Sequence, residues 1–344
     1  MPPPTPTIRS LAARLGLSRT TVSDALRKSP RVKPDTARRV WELADAIGYR
    51  PNPLAGALMS EIRRSRGQTF RGGLAAIDLD ESDRPIPAVR FHEGLIDGAR
   101  KRAAELGYKL QTFVVGRKGV DLTRLDTILQ SRGIQGVLVL PAWREPDLSR
   151  LDWSRYAGIY TDYIIEHPGL HTVCCDHYRS LFSVLTRLGR MGYRRPGLFV
   201  QRQQDERLQN RWEGAFLGFQ SGHPEAGAVP PLVMDELARE PFIRWFKRHK
   251  PDVVLAHFAG AIEWMTEAGM PVPRGAGFFS LNLTLHSRPC AGLDLQPRLL
   301  GSRGVEMLIA QLQRNERGVP GHPSTTMIAA LWVDGPTIEP RPGR

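Results

Sequence analysis

The chain has 344 residues, which is too long for one ordinary domain and suits two or three. Hydrophobic residues make up 41% and charged residues 24%, the usage of a globular protein, so wholesale disorder is excluded. The formal net charge is +13, and residues 1–71 hold +9 of it, with fourteen Lys or Arg against five Asp or Glu. A basic end on a nearly neutral body favours contact with nucleic-acid phosphates over a membrane surface or an acidic small molecule.

The start of the chain and its cysteines indicate the compartment. The sequence begins MPPPTPTIRS, without the apolar core of a signal peptide, and no run approaches the ~18 apolar residues of a membrane span. Three cysteines, Cys174, Cys175 and Cys290, are too few and too irregularly placed for a disulfide framework. We therefore expect a cytoplasmic protein without membrane contact.

Residues 7–50 predict three short helices. Thr7 can cap the first, Gly16 supplies a tight turn after it, and Ser18 can cap the second. The third begins near Pro34, a residue suited to the first turn of a helix, and ends at Gly48. The inward positions recur at helical spacing: Ile8, Leu11, Ala12, Leu15, Val22, Ala25, Leu26, Val40, Leu43, Ala44 and Ile47.

The first two helices have the pattern of a helix-turn-helix motif. Small residues at the crossing let the helices approach closely, so that the exposed face of the second can enter a major groove. On that face Arg19 is a candidate for a guanine edge, and Thr20 for a base or a thymine methyl. The DNA-binding candidates from this motif are Thr7, Ser18, Arg19, Thr20, Thr21 and Ser23, with Ser18 and Thr21 toward phosphate. Asp24 either accepts from a cytosine or pairs with Arg27, and we favour the pairing.

From residue 72 the pattern changes to apolar runs that alternate with amphipathic helices. The runs predict buried parallel strands at 74–79, 108–115, 136–142, 158–162, 196–200, 252–257 and 277–281. The helices are predicted at 89–106, 121–132, 178–191, 204–220, 239–249, 260–268 and 298–314. This alternation predicts a doubly wound α/β architecture, and the length of the body fits two lobes better than one.

The N-terminal residues resemble the DNA-binding headpiece of the lactose-repressor (LacI/GalR) family of bacterial regulators. The residues that carry the resemblance are Thr7 to Val22, Arg31-Val32, Gly48-Tyr49-Arg50-Pro51-Asn52 and Ala55-x-x-Leu58. It implies a hinge helix that pairs with that of a dimer mate and inserts Leu58 into the minor groove at the operator centre. Asn52, Ala55 and Leu58 are therefore further DNA-binding candidates, and the alternative for Leu58 is a packing contact within the linker. A helix this short, containing Gly56, would form only on DNA.

The resemblance extends over most of the chain and implies its domains. Residues 1–50 are the headpiece, 51–71 the hinge helix and linker, 72–335 a core similar to periplasmic sugar-binding proteins, and 336–344 a tail. Within the core, lobe 1 comprises about 72–173 plus 296–325, and lobe 2 about 174–295 plus 326–335. The lobes are doubly wound parallel sheets joined by three crossovers, with the ligand in the cleft between them.

In such sheets ligands lie beyond the carboxyl ends of the strands. Residues that follow predicted strands are thus ligand candidates: Asp80, Trp143, Asp162, His257 and Asn282. Arg211 matches the Arg-x-x-Gly pattern in which the family's arginine hydrogen-bonds a ligand hydroxyl or carboxylate. The alternatives are a surface arginine for Arg211 and a structural histidine, which we favour, for His257.

The chain departs from the family at two places in the cleft. His257-Phe258 stands where family members usually have Asn-Asp, and Leu281 stands where they usually have an aspartate that binds sugar. A pocket without those acceptors is less suited to a free hexose. Another sugar, an aromatic or acidic compound, or no effector at all remain open.

No other motif in the sequence indicates an enzyme, a cofactor or a metal. There is no P-loop, Gly-x-Ser-x-Gly elbow or His-Glu-x-x-His, and the cysteines and histidines at 171–177 fit no zinc spacing. We expect a nucleoid-associated transcription regulator, a repressor, that binds a palindromic double-stranded operator as a homodimer. A small ligand, with carbohydrate among the candidates, would control it allosterically. The alternative is a regulator whose core only dimerises.

Overall fold

The computed structural model describes residues 8–26, 32–47, 71–82, 84–86, 88–117, 119–163, 166–224 and 228–341. The chain divides into two compact units, Met1–Phe70 and Arg71–Arg344. Several residues predicted to contact DNA lie outside the described part: Thr7, Asn52, Ala55 and Leu58, together with the side chains of Thr20 and Ser23.

The described residues of the first unit form three helices: α1 (Ile8–Leu15), α2 (Arg19–Leu26) and α3 (Pro34–Ala46). Gly16 adopts φ +63° between α1 and α2, a left-handed conformation that a glycine reaches without strain. The Trp41 indole nitrogen donates to the Ala25 carbonyl oxygen over 3.1 Å, which links α3 to α2. The buried side chains are those predicted from helical spacing: Leu11, Ala12, Val22, Ala25, Leu26, Val40 and Ala44.

The second unit alternates strands and helices along the chain. In order they are β1 (Gly72–Leu79), α4 (Ala88–Glu105), β2 (Tyr108–Val115), α5 (Leu122–Ser131), β3 (Gly136–Val139), β4 (Ala157–Tyr160), β5 (His171–Cys175), α6 (His177–Arg190), β6 (Pro196–Gln201), α7 (Arg202–Glu206), α8 (Arg211–Gly222), β7 (Leu232–Met234), α9 (Arg239–His249), β8 (Val253–Ala256), α10 (Ala261–Glu267), β9 (Gly277–Ser280), β10 (Gly292–Asp294), α11 (Pro297–Arg314), β11 (Thr325–Ile328) and β12 (Leu331–Val333).

These strands form two six-stranded sheets, one in each lobe. The lobe 1 sheet has the order β11-β5-β4-β3-β1-β2, and the lobe 2 sheet has the order β12-β10-β9-β8-β6-β7. The pairings between these strands are parallel except that of β10 with β12. The predicted two-lobed, doubly wound architecture is confirmed. None of the described helices is long and apolar enough to cross a membrane.

The central strands are buried because helices cover both faces of each sheet. Leu74 to Ile77 of β1 are completely buried, as continuous apolar runs in parallel sheets predict. Two glycines let α4 and α11 cross closely on one face of lobe 1. A methyl group on Gly98 would overlap the backbone of Arg298, and one on Gly301 would overlap the backbone of Leu95.

Three short crossovers join the lobes. The chain passes from β5 to α6 at Asp176, from β10 to α11 through Leu295-Gln296, and from β11 to β12 through Ala329-Ala330. The structure thus places residues 174–175 and 326–328 in the sheet of lobe 1, whereas the predicted boundaries assigned them to lobe 2.

The predicted helix at 204–220 is wrong in one respect. It is interrupted after α7, because Gln209 and Asn210 adopt left-handed conformations with φ of 58° and 53°. The Asp205 carboxylate accepts from the Trp212 and Glu213 amides over 3.0 and 2.9 Å, so α8 has its own N-terminal cap. The break places residues 207–210 in a loop at the carboxyl end of β6.

Candidate functional sites

The start of α2 is fixed by the hydroxyl of Ser18. Ser18 Oγ accepts from the Thr21 amide over 3.0 Å and lies 2.8 Å from Thr21 Oγ1. Ser18 therefore caps the helix as predicted. Arg19, at the first position of α2, is exposed. Contacts of these three side chains with DNA remain predictions.

A cavity of about 390 Å³ lies between the two lobes, at the carboxyl ends of their strands. Four of the six predicted ligand residues line it: Trp143, Asp162, His257 and Asn282. Trp143 and Asp162 follow strands of lobe 1, whereas His257 and Asn282 follow strands of lobe 2. The strand-end rule thus brings together residues that are far apart in sequence.

The other two predicted ligand residues, Asp80 and Arg211, are not among the described residues that line this cavity. Asp80 lines a separate surface pocket with Glu81 and Arg144. The Arg211 guanidinium carbon lies 4.3 Å above the centre of the Tyr163 ring, and Nη2 donates to Gln209 Oε1 over 3.1 Å. Direct ligand contact by either residue stays a prediction.

Arg207 is one of the cavity residues that were not predicted from the sequence. Its Nη1 donates to Asp162 Oδ2 over 2.6 Å and to the Ala142 carbonyl oxygen over 3.4 Å. Its guanidinium carbon lies 5.2 Å from the centre of the Trp143 ring. Arg207 belongs to lobe 2 and all three partners belong to lobe 1, so this side chain connects the lobes across the cavity. Because the helix is interrupted after α7, Arg207 can reach the cavity. The predicted helix over 204–220 was unbroken, so it did not indicate this position.

On the side of lobe 1, the charged groups bond to one another. Asp78 Oδ1 lies 3.0 Å from Arg84 Nη1 and 3.2 Å from His92 Nδ1. Burial raises the pKa of Asp78, but the hydrogen bond from His92 and the charges of His92 and Arg84 outweigh it, so the pKa lies below its ordinary value. The Glu81 carboxylate accepts from the backbone amides of Trp143 and Arg144, each over 2.8 Å. These acidic groups hold the strand ends of lobe 1 in place.

On the side of lobe 2, several polar atoms have no protein partner. Among the described residues, His257 Nδ1, His286 Nε2 and Arg207 Nε are buried without a hydrogen bond, and so is Arg84 Nε on the side of lobe 1. Burial, with the charge of Arg207, lowers the pKa of His257 to about 3. Burial, with the charge of Arg288, lowers that of His286 to about 4, so both imidazoles are neutral near pH 7. Asn282 Oδ1 accepts from the amide and hydroxyl of Thr284 over 3.1 and 2.7 Å, which leaves its Nδ2 as a donor.

The floor of the cavity contains a neutral histidine. The Tyr163 hydroxyl donates to the Cys175 carbonyl oxygen over 2.6 Å and lies 2.9 Å from His177 Nδ1. Since the hydroxyl hydrogen is used, His177 Nδ1 is the donor of the second bond. Burial lowers the pKa of His177 well below its ordinary value. Burial also raises the pKa of the Cys174 thiol to about 12, so it stays protonated and is a poor metal ligand.

One cluster on the surface of lobe 1 could offer ligands to a metal ion. Glu145, Glu166 and His167 place ligand atoms within 4.8 Å of one another, and all three are exposed. Exposed carboxylates often gather without an ion, and no buried polar atom in the described part of the chain points to this place.

Comparison with known proteins identifies the N-terminal unit. Residues 7–52 match the model of "Bacterial regulatory proteins, lacI family". The HTH-type transcriptional regulator CelR of Thermobifida fusca is 29% identical over 146 residues, 42% of this chain and 40% of that protein. Four curated relatives, CelR among them, are matched over only 40% to 56% of their own length. The repressor PurR of Klebsiella pneumoniae is 22% identical over 97% of this chain and 99% of its own.

Solved structures extend the likeness to the whole fold. The complex of the regulator CelR with cellobiose has a TM-score of 0.58 at 20% identity, covering 96% of this chain and 99% of that one. The lac repressor dimer bound to operator and the anti-inducer ONPF has a TM-score of 0.54 at 16% identity, covering 96% and 98%. The headpiece match, the relatives and the shared two-lobed fold agree with the resemblance read from residues 7–58. Residues 7–52 thus match the lacI family of bacterial regulatory proteins, and the fold of the chain is similar to those of the regulator CelR and the lac repressor.

Proposed function

We propose that this protein is a transcriptional repressor that binds a palindromic operator as a homodimer. A small ligand in the cavity between the lobes then lowers or raises the affinity for the operator. The observation that carries the proposal is the lacI-family match over residues 7–52, which coincides with helices α1 to α3. Arg19 is exposed at the start of α2, where a recognition helix meets base edges.

Operator binding can be tested with sites selected from a library of palindromic DNA. The basic residues of 1–71 should make affinity fall steeply with salt, with a log–log slope near −0.9 per neutralised phosphate. A dimer with six to ten phosphate contacts should lose about 10³-fold or more between low and moderate salt. Fluorescence anisotropy measures this, and nearly salt-independent affinity would contradict the proposal.

Arg19 should contribute specificity rather than only charge. Arg19→Ala should cost about 1–3 kcal/mol on the selected operator and relax discrimination at one base pair. Arg38→Ala is the matched control, because Arg38 is exposed on α3 and pairs with Asp35 over 3.0 Å. An equal loss in both variants would assign Arg19 to phosphate contact alone.

Leu58, which lies outside the described residues, should act as a wedge at the operator centre. Leu58→Ala should lose operator bending and most specific affinity, about a few kcal/mol, while non-specific binding survives. A circular-permutation assay measures the bend. If the variant bends and discriminates DNA like the wild type, Leu58 is a packing residue of the linker.

The cavity supports control by a ligand. Four predicted ligand residues and Arg207 surround one space that both lobes line, and a compound that binds there changes contacts between the lobes. Structures of the regulator CelR with cellobiose and of the lac repressor with ONPF share this fold. The second candidate, a core that only dimerises, is favoured by the loss of acceptors at Phe258 and Leu281. A thermal-shift screen of the full chain, followed by operator binding with each stabilising compound, separates the two.

A further inference from the structure

We infer that the ligand of this cavity is a ring compound that carries a carboxylate, an aromatic or alicyclic acid, and not a neutral sugar. The inference rests on the proposed function, in which the cavity holds the effector, and it adds the chemical class of that effector.

The cavity offers few hydrogen-bond acceptors for hydroxyl groups. Each sugar hydroxyl donates one hydrogen, so a sugar site needs carboxylate or amide oxygens to accept it. Asp162 is the one carboxylate among the described lining residues, and its Oδ2 already accepts from Arg207. The side-chain oxygen of Asn282 is taken by Thr284. Asp162 Oδ2 and Asn282 Oδ1 are therefore already in use, and Gln201 and Gln204 add two further side-chain amides to the lining.

Donors, by contrast, remain available. Arg207 uses only Nη1 for its bonds to Asp162 and Ala142, and its Nε is buried without a partner. Nε and Nη2 form one side of the planar guanidinium, which matches the two oxygens of a carboxylate. Asn282 presents Nδ2 at the end of a neighbouring strand. A carboxylate can accept from Nε and Nη2 through its two oxygens and also balances the charge of the guanidinium, which a neutral hydroxyl does not.

Part of the lining is apolar and aromatic. Trp143, Phe91 and Phe258 line the cavity, with five leucines: Leu208, Leu237, Leu285, Leu295 and Leu300. Trp143 also contacts the Arg207 guanidinium, so an aromatic face lies beside the group that would hold the carboxylate. Phe258 and the buried Leu281 replace acceptors that sugar-binding relatives were expected to carry. A hydrocarbon ring with one charged end fits this lining.

Three arginines, Arg84, Arg207 and Arg288, and one carboxylate, Asp162, are among the described residues that line the cavity. Arg84 and Arg288 line the cavity and pair with carboxylates outside its lining, on Asp78 and Glu263. An added carboxylate therefore meets one like charge, that of Asp162, and the same guanidinium already neutralises it. The neighbouring imidazoles of His257 and His286 are neutral and do not repel it.

The test compares matched probes on the full chain by isothermal titration calorimetry. The acids are benzoate, 4-hydroxybenzoate and cyclohexanecarboxylate, the neutral isosteres are the corresponding amides, and the sugars are glucose, galactose and cellobiose. We expect at least one acid to bind about tenfold or more tightly than its amide and than every sugar. Arg207→Gln should weaken that acid about tenfold to a hundredfold and leave the weak binding of the amide unchanged.

Two further variants keep the result interpretable. Arg202→Gln is the control, because Arg202 is an exposed arginine of α7 that pairs with Asp235 over 2.7 Å and does not line the cavity. If Arg207→Gln does not fold because Asp162 loses its partner, Asp162→Asn combined with Arg207→Gln replaces the ion pair by two amides. The double variant should lose the preference for acid over amide.

The inference is overturned if no acid binds, if acid and amide bind equally, if a sugar binds more tightly than the acids, or if removal of the guanidinium changes nothing. These outcomes are distinct from failure of the proposed function. A sugar that binds the cavity and changes operator affinity would leave the repressor proposal standing. A chain that selects no DNA site would defeat it, whatever the acids do.

Discussion

Two of the partly buried arginines that line the cavity differ in their bonds. Arg84 bonds within its own lobe, to Asp78, Glu81 and the carbonyl of Leu79. Arg207 reaches from lobe 2 to Asp162 in lobe 1, and the Nε atoms of both arginines are buried without a protein partner. The difference shows that a charged residue can line a cavity without binding the ligand. Arg84 holds the strand ends of lobe 1 together, whereas Arg207 connects the two lobes across the cavity.

The largest expected effect separates the two arginines by stability. Arg84→Met should lower the free energy of unfolding by about 2–4 kcal/mol, because the partly buried carboxylates of Asp78 and Glu81 lose their partner. Urea denaturation of the full chain measures it. Arg100→Met, on the exposed side of α4, should change stability by less than about 0.5 kcal/mol. Equal stability of the two variants would mean that Arg84 does not hold lobe 1 together.

A somewhat smaller loss should follow from Asp205→Ala. The buried carboxylate accepts from two amides at the start of α8, and its removal leaves both donors without a partner, at a cost of about 2–3 kcal/mol. Asp235→Ala is the control, since the Asp235 side chain is 81% exposed. Comparable urea midpoints in the two variants would show that the loop carrying Arg207 is held by other contacts.

The bond between the lobes at the cavity floor should contribute less. Tyr163→Phe removes the donor to the Cys175 carbonyl and the acceptor for His177 Nδ1, which should cost about 1–2 kcal/mol. Thermal or urea unfolding of the full chain measures this, and Tyr178→Phe, at a half-exposed tyrosine, is the control. A loss no greater than that of the control would make the hydroxyl dispensable.

The smallest effect concerns acid. Folding lowers the pKa of Asp78 below its ordinary value of 3.8, so the ionised form is stabilised in the folded protein. This contribution is complete above the ordinary pKa and disappears as the pH falls through the lowered one. Asp78→Asn should therefore lose less stability than the wild type between pH 5 and pH 3. Parallel pH profiles of the urea midpoint would show that Asp78 is not linked to folding.

The sequence predicted four residues of this cavity because one rule sufficed for them. Trp143, Asp162, His257 and Asn282 each follow a buried apolar run, and parallel strands bring such ends to one edge of a sheet. Arg207 could not be found that way. Its access to the cavity depends on the left-handed conformation of Gln209 and Asn210, and that conformation is hard to predict at residues other than glycine.

Short and displaced features also escaped prediction. The strands β7, β10 and β12 have three residues each, too few for any periodicity to show. Asp80 obeys the strand-end rule yet lines a different pocket, because strand order alone does not determine which way a side chain leaves the strand.

The three crossovers have a mechanical consequence for the core. Each is only one or two residues long. The third, Ala329-Ala330, is held by two hydrogen bonds, one from Gln296 Nε2 to the Ala329 carbonyl oxygen and one from the Ala330 amide to Ser180 Oγ. Three short crossovers in one region fix the distance between the two lobes there but leave the angle between the lobes adjustable. The cavity would then open by rotation of one lobe relative to the other at the crossovers, through changes in the backbone torsion angles of a few residues. The bond from Arg207 to Asp162 crosses the cavity between the lobes, and it therefore restrains the angle that the backbone leaves free.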